Sequence, residues 1–227
     1  MEDILNFCNC YIDLTTNVIH KNNTKGHSTG YALLKSSDEQ NKVICDMILN
    51  ILPNKIDRDN FVKMARISMS TKRDGTVYIL NGKYSKEKDV IIMLLMDIVG
   101  GHYSCFADDD ILQIENTNIP YQQVSKLLDK RVVIFYSDMI NNKNINDVLI
   151  KNDNIKVNFL LNNCNIKLNF TGIYITKNIK NINNIFDNYV TINFDYSLNK
   201  NDIRYDSDNF RSLHKHAMLF YILSYKL

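Results

Sequence analysis

The feature that most constrains the fold is a set of short, largely apolar runs in the last two thirds of the chain. Runs without strict polar alternation are typical of strands buried on both faces of a parallel sheet. Segments with helical spacing of apolar residues separate several of these runs, and strands separated by helices indicate a mostly parallel sheet flanked by helices. We therefore predict an α/β domain with a mostly parallel sheet. We also predict a helix over YQQVSKLLD (121–129) and a hairpin over residues 155–170 with NNCN (162–165) as its turn. The four runs are TVYIL (76–80), KRVVIFYSD (130–138), TGIYITKN (171–178) and YVTINFDY (189–196).

The segment before these runs has a different pattern of apolar residues, which predicts a small, mainly helical subdomain. CYIDLTTNVIHKN (10–22) reads as two strands joined by a turn, and two helices follow it. Ser37 or Asp38 is placed to cap the first helix, and Pro53 ends it. We predict two units: residues 1–72 as the mainly helical subdomain, and residues 73–227 as the α/β domain with a closing C-terminal helix.

Composition excludes several classes of protein. With 227 residues and 45% hydrophobic content, the chain is long enough for one sizeable core. The net charge of +2 gives no electrostatic case for nucleic-acid binding by itself. The five cysteines are scattered, which favours structural thiols over a zinc site. The N-terminus has no signal-peptide pattern, and the longest apolar run is too short to span a bilayer, so an intracellular protein with no membrane partner is expected.

The stretch NGKYSKEKD (81–89) has the outline of a phosphate-binding loop that enters a helix. The pattern requires Gly, four residues, Gly, Lys and then Ser or Thr. Gly82 and Lys88 stand at the right spacing, but Glu87 replaces the second glycine and Asp89 replaces the hydroxyl residue that holds magnesium. A carboxylate about 4 Å from a phosphate costs roughly 4 kcal/mol at an effective dielectric near 20. Glu87 therefore predicts a large loss of nucleotide affinity.

The order of segments along the whole chain resembles the superfamily 3 helicase region of the poxvirus-type primase-helicases of large DNA viruses. YIDLTTNVIHKNNTKGHSTGY (11–31) is similar to a strand that leads to an STGY signature in that family. The loop at 81–89 follows, and LLMDIVGGHYSCF (94–106) is similar to the segment after it. LLDKRVVIFYSDM (127–139) resembles the Walker B strand, and FTGIYITKNIKNI (170–182) resembles the sensor strand. The family's N-terminal primase domain has no counterpart here.

The resemblance implies an AAA+-like α/β fold and assigns roles to single residues. It implies that Gly82, Lys88, Asp138 and Asn178 are vestiges of a nucleotide site, and that Asp187 and Asn188 stand at or beside a lost arginine pair; Arg204 is a weak substitute. It also places Lys156 and Lys167 on a hairpin that contacts DNA in relatives, with two solvated lysines as the alternative. For Asp138 and Asn178, local polar roles compete with magnesium or sensor roles.

Other polar residues give weaker signals. His214 and His216 are two apart on the final helix, which is the wrong spacing for a shared ligand face, so packing or surface roles are expected. Asp108–Asp110 reads as an acidic helix start rather than a metal site. No metal site is predicted.

Three functional hypotheses follow from these observations. The first is a catalytically inactive, helicase-like viral protein that needs no cofactor and acts by homo-oligomerisation or binding. It would serve as a replication accessory or as a structural component in the host cytoplasm, the viral factory or the virion. The second is a working ATPase that uses ATP and magnesium through an unconventional loop. The third is a non-hydrolysing binder of single-stranded DNA, and replication proteins are further candidate partners.

Overall fold

A computed structural model describes the molecule over residues 3–21, 27–82, 86–107, 119–136, 155–159, 162–177, 186, 188–194 and 208–227. Within these ranges the strands are β1 (Ile4–Asn6), β2 (Cys10–Asp13), β3 (Val18–Lys21), β4 (Val77–Asn81), β5 (Ser104–Phe106), β6 (Ile119–Pro120), β7 (Val132–Tyr136), β8 (Ile155–Phe159), β9 (Asn162–Ile166), β10 (Thr171–Thr176) and β11 (Tyr189–Asn193). The helices are α1 (Asp38–Ile51), α2 (Lys55–Met69), α3 (Lys86–Val99), α4 (Tyr121–Ser125) and α5 (Asp208–Ser224).

The central element is a five-stranded sheet in the order β11-β4-β10-β7-β5. Every neighbouring pair in it is parallel. The carboxyl ends of all five strands therefore lie at one edge, where parallel α/β sheets carry their sites. The predicted α/β class, with a mostly parallel sheet flanked by helices, is confirmed.

Both faces of this sheet are buried, which explains why its strands read as continuous apolar runs. Along β4 the side chains alternate between two cores: Tyr78 and Leu80 join the core under α1, α2, α3 and α5. Val77 and Ile79 join a second core that includes Val124 from α4. A strand that alternates between two apolar environments shows no polar period.

The N-terminal segment combines an antiparallel sheet, β1-β2-β3, with α1 and α2. The predicted hairpin over residues 10–22 is confirmed as β2 and β3. Ser37 caps α1: its hydroxyl accepts from the Gln40 backbone N–H, and the Gln40 side chain accepts from the Ser37 N–H. Residues from this segment share one core with the sheet, and the division at residue 72 stays a prediction.

Two local expectations were wrong. The polar NNCN stretch (162–165) was expected to be the turn of a hairpin, but it lies within β9, where Phe159 pairs with Asn162. Because β9 is the edge strand of the order β6-β8-β9, it tolerates polar residues. The helix expected over residues 121–129 ends at Ser125 and continues as tight turns to Asp129, whose φ is +61°. The short strands β1 and β5 were not anticipated.

None of the helices in the described ranges is long and apolar enough to cross a membrane.

Candidate nucleotide site

The loop-like stretch lies where a phosphate loop would, between the carboxyl end of β4 and the start of α3. Gly82 follows β4 directly and has φ of +129°, a conformation that side chains rarely adopt. A Cβ at this position would lie 2.5 Å from the carbonyl oxygen of Phe194, the residue that follows β11. The Phe194 N–H in turn donates to the Asn81 carbonyl at 2.8 Å. Gly82 is therefore required by close packing of the chain against the end of β11.

Lys88, at the phosphate-lysine position, is buried inside the protein. Its side chain is only 1% exposed, and Nζ donates to the carbonyl oxygen of Gly82 at 2.6 Å. The ammonium also lies 5.9 Å from the centre of the Phe194 ring. The charge is thus held by the loop's own backbone and by the residue after β11. To contact a phosphate, the ammonium would have to become accessible from this buried position.

Asp89 stands where the phosphate-loop pattern has the hydroxyl residue that holds magnesium. It is hydrogen-bonded to β7, the strand whose sequence resembles the Walker B strand. The hydroxyl of Tyr136, the last residue of β7, donates to Asp89 Oδ1 at 2.9 Å. Asp89 lies in the first turn of α3, where a carboxylate stabilises the positive end of the helix dipole.

A polar network that no sequence pattern indicated joins this edge of the sheet to α2. Asn81 Nδ2 donates to Asn193 Oδ1 at 3.0 Å, which links the ends of β4 and β11. The Asn193 backbone N–H donates to Asp57 Oδ1 at 2.9 Å, and Asp57 is buried in the first turn of α2. Asp57 and Asn193 are 136 positions apart in sequence, so only the fold brings them together.

Several predicted site residues lie outside the described residues: Asp138, Asn178, Asp187, Arg204 and Asp108–Asp110. The predictions for them stay untested.

Asn188, beside the expected arginine pair, has a local structural contact. Its Nδ2 donates to Thr76 Oγ1 at 3.2 Å, and its carbonyl accepts from the Val77 N–H at 3.1 Å. Both contacts join the start of β11 to the start of β4. Asn188 thus helps to align these two parallel strands.

The two lysines assigned to a hairpin belong to its two arms. Lys156 lies in β8 and pairs with Asn165 of β9 in the antiparallel register, while Lys167 is exposed and follows β9 directly. The hairpin occurs between β7 and β10 in chain order. The role of these lysines in binding DNA stays a prediction.

The histidines of α5 make packing contacts. His214 Nδ1 lies 2.8 Å from the Phe210 carbonyl, and its ring stacks on that of Phe210 at 4.1 Å. His216 is buried, and its Nδ1 accepts from the Leu34 N–H at 3.4 Å. Burial, and secondarily the charge of Lys215, lowers the pKa of His216. Over the part of the chain that the structure describes, no group of three or more His, Cys, Asp or Glu residues is placed to hold a metal ion.

A groove of about 400 Å³ lies far from the loop, between β3, α1 and α5. Its lining is mostly apolar and includes Ile19, Cys45 and Tyr221. No residue of the loop or of α3 lines it. The groove is therefore separate from the loop that follows β4 at the carboxyl edge of the sheet.

The sheet order, the loop after β4 and the helix that follows define an AAA+-like α/β fold. Comparison with solved structures supports this assignment: the apo NrS-1 C terminal region-CTR (A form) matches with a TM-score of 0.62 at 17% identity, covering 93% of this chain and 51% of that one. A second apo structure of the NrS-1 C terminal region, residues 305–718, matches with a TM-score of 0.59 at 16% identity over 92% of this chain. The chain spans about half the length of these structures.

A structure of the JCV helicase also matches, with a TM-score of 0.48 at 14% identity over 83% of this chain and 54% of that one. At that score it adds no weight to the fold assignment. No family model matches the chain, and no curated protein does either.

Proposed function

We propose that this chain is a catalytically inactive, helicase-like protein that acts by oligomerisation or binding. The fold supports the helicase-like part of the proposal, together with the segment order of superfamily 3 helicases. The inactive part rests on the loop. A viral origin, a role as a replication accessory or assembly component, and partners such as replication proteins come from the family resemblance.

The observation that carries the proposal is the burial of Lys88, which is 1% exposed with Nζ 2.6 Å from the Gly82 carbonyl oxygen. A phosphate-loop lysine acts only if its charge reaches the β- and γ-phosphates. Here Asp89 accepts a hydrogen bond from Tyr136, and the sequence has Glu87 where the pattern requires its second glycine. The residues present do not fit a magnesium nucleotide, so no hydrolytic step is assigned to them.

The direct test is thermal unfolding of the full chain with and without millimolar magnesium ATP. A ligand that binds only the folded state raises its stability by RT ln(1 + [L]/Kd). We expect no change in Tm. A reproducible rise above about 2 °C, on the order of 1 kcal/mol for a chain of this size, would contradict the proposal.

A matched variant makes a negative result informative. E87G combined with D89T rebuilds the pattern of Gly, four residues, Gly, Lys and Thr around Gly82 and Lys88. If ATP then reaches about 100 times its Kd, the variant gains about 2.7 kcal/mol, or roughly 5–10 °C. Adding K88A should abolish that gain. If the double variant binds ATP and the natural sequence does not, the defect lies at Glu87 and Asp89.

Single-stranded nucleic-acid binding is a second candidate function, favoured by the placement of Lys156 and Lys167 on one hairpin. Such binding requires no hydrolysis, and it is compatible with a closed nucleotide site. It is distinguished from pure self-assembly by its dependence on salt, because each phosphate contact releases counterions.

A further inference from the structure

The STGY signature belongs to a short segment, His27–Tyr31, that we call the strap. The strap lies across the turn that joins α3 to β5. The hydroxyl of Tyr31 donates to the Ile98 carbonyl at 2.8 Å, and the hydroxyl of Tyr103 donates to the His27 carbonyl at 2.5 Å. On its other side, the Thr29 N–H donates to the Asn6 carbonyl at 2.8 Å. The strap therefore connects the N-terminal sheet to the end of α3.

The contact between strap and turn is close. Gly100 has φ of +88°, and a Cβ there would lie 2.3 Å from the carbonyl oxygen of Thr29. Thr29 is only 5% exposed. Such a contact leaves no space for a side chain at position 100.

Two histidines face each other where the strap begins. The rings of His27 and His102 stack with their centres 4.0 Å apart and an angle of 28° between their planes. Both residues are exposed, so protons reach them freely. Neutral imidazoles stack without penalty, whereas two imidazolium ions at this distance repel.

The surroundings of the pair carry more positive than negative charge. Lys130 Nζ donates to the His102 carbonyl at 2.7 Å, and the Arg131 guanidinium lies 4.2 Å from the centre of the Tyr103 ring. Asp129 is the acidic group that acts on His102. Partial burial, followed by the charges of His27 and Lys130, lowers the pKa of His102.

The strap itself carries no acidic residue to offset this charge. Its sequence is HSTGY, and Cys8 Sγ lies 3.8 Å from Ser28 Oγ. Neither the Cys8 thiol nor the Tyr103 hydroxyl carries positive charge in either protonation state. Asp129 is the carboxylate that raises the pKa of His102. At the other end of the strap, Lys215 Nζ lies 3.8 Å from the centre of the Tyr31 ring, and the His216 ring lies 5.5 Å from it.

We propose that the strap is a pH-sensitive latch, closed while His27 and His102 are neutral and released from the turn when both are protonated. Release requires a charge on both rings, which acidification favours. Two unit charges 4 Å apart in water shift an opening equilibrium about fivefold. Acidification would thus loosen the N-terminal sheet from α3 without unfolding the central sheet.

Hydrogen exchange on the full chain tests the latch, with protection factors measured at pH 7.5 and pH 5.0. The reporter is the Thr29 amide, and the reference is the Tyr174 amide within β10. We expect Thr29 protection to fall about fivefold at pH 5.0 while Tyr174 protection changes less. In H102Q and H27Q the fall at Thr29 should disappear.

The matched control is H20Q, which removes a histidine that stacks on Tyr11 at 4.8 Å, away from the strap. This variant should keep the wild-type fall at Thr29. NMR titration of the ring protons should also show coupled protonation of His27 and His102 that becomes simple in each single variant. The latch is refuted if Thr29 protection is equal at both pH values, if it falls as much in H102Q and H27Q as in wild type, or if Tyr174 falls by the same factor.

Discussion

Arg131 makes a buried polar connection between the N-terminal segment and the central sheet. It lies just before β7 and is 8% exposed. Its Nη1 donates to the Ile4 carbonyl at 3.0 Å and also to the Met69 carbonyl, so one guanidinium joins β1 to the end of α2. Its face also covers the Tyr103 ring.

Replacement of Arg131 by Met keeps most of the apolar stem and removes all donors. Each buried carbonyl left without a partner costs about 1–3 kcal/mol, and the lost cation–π contact adds roughly 0.5–2 kcal/mol. Part of this loss of stability is offset, because the variant no longer has to desolvate a guanidinium when it folds. We expect R131M to lose about 2–4 kcal/mol of unfolding free energy, or on the order of 6–12 °C in Tm.

The assay is urea unfolding followed by circular dichroism, with K130M as the matched control. Lys130 is adjacent and also donates to two backbone carbonyls, those of Gly101 and His102, but it is only partly buried. Those carbonyls remain accessible to water, so K130M should cost under about 1 kcal/mol. Equal losses in the two variants, or a loss below about 1 kcal/mol in R131M, would refute the argument from burial.

Three further outcomes are expected. R66M should lose about 1–3 kcal/mol of unfolding free energy in urea, because Arg66 donates to the Ile222, Leu223 and Tyr225 carbonyls at the C-terminal end of α5. Lys63 is exposed on the same helix, so K63M should lose under about 0.5 kcal/mol. Equal losses in the two variants would count against this capping role. Because the pKa of His216 is lowered in the folded state, the unfolded state binds more protons below about pH 6.5, and stability should fall as the pH falls through that value. H216Q should reduce the slope of unfolding free energy against pH in this range. An unchanged slope would contradict this contribution. If the chain binds single-stranded DNA through its hairpin, K156A with K167A should reduce the slope of log K against log salt by about 1–2; an unchanged slope would place any binding elsewhere.

The sequence predicted the fold class well because buried strands and amphipathic helices leave local periodic signals. It located β4, β7, β10 and β11, and it identified Ser37 as one of two possible caps of α1. It did not predict β5, since Ser104–Phe106 is too short for an apolar run to stand out. Strand order was also beyond local patterns, because the placement of β10 between β4 and β7 depends on contacts distant in sequence.

The candidate site was predictable only in part. The spacing of Gly82 and Lys88 identified the loop, and the resemblance identified the strand that carries Tyr136. The bonds from Lys88 to Gly82 and from Tyr136 to Asp89 depend on side-chain geometry that spacing does not encode. The network of Asp57, Asn81 and Asn193 was missed because no motif connects a helix start to a strand end more than a hundred residues later.

These bonds give structural reasons for two residues of the loop that match a nucleotide-binding pattern. Gly82 is required by the carbonyl of Phe194, which approaches too closely for any Cβ. Lys88 donates to the Gly82 carbonyl, and loss of its ammonium would remove a donor from that half-buried acceptor. Structural need alone is therefore sufficient to account for Gly82 and Lys88, so their spacing does not by itself require a bound nucleotide.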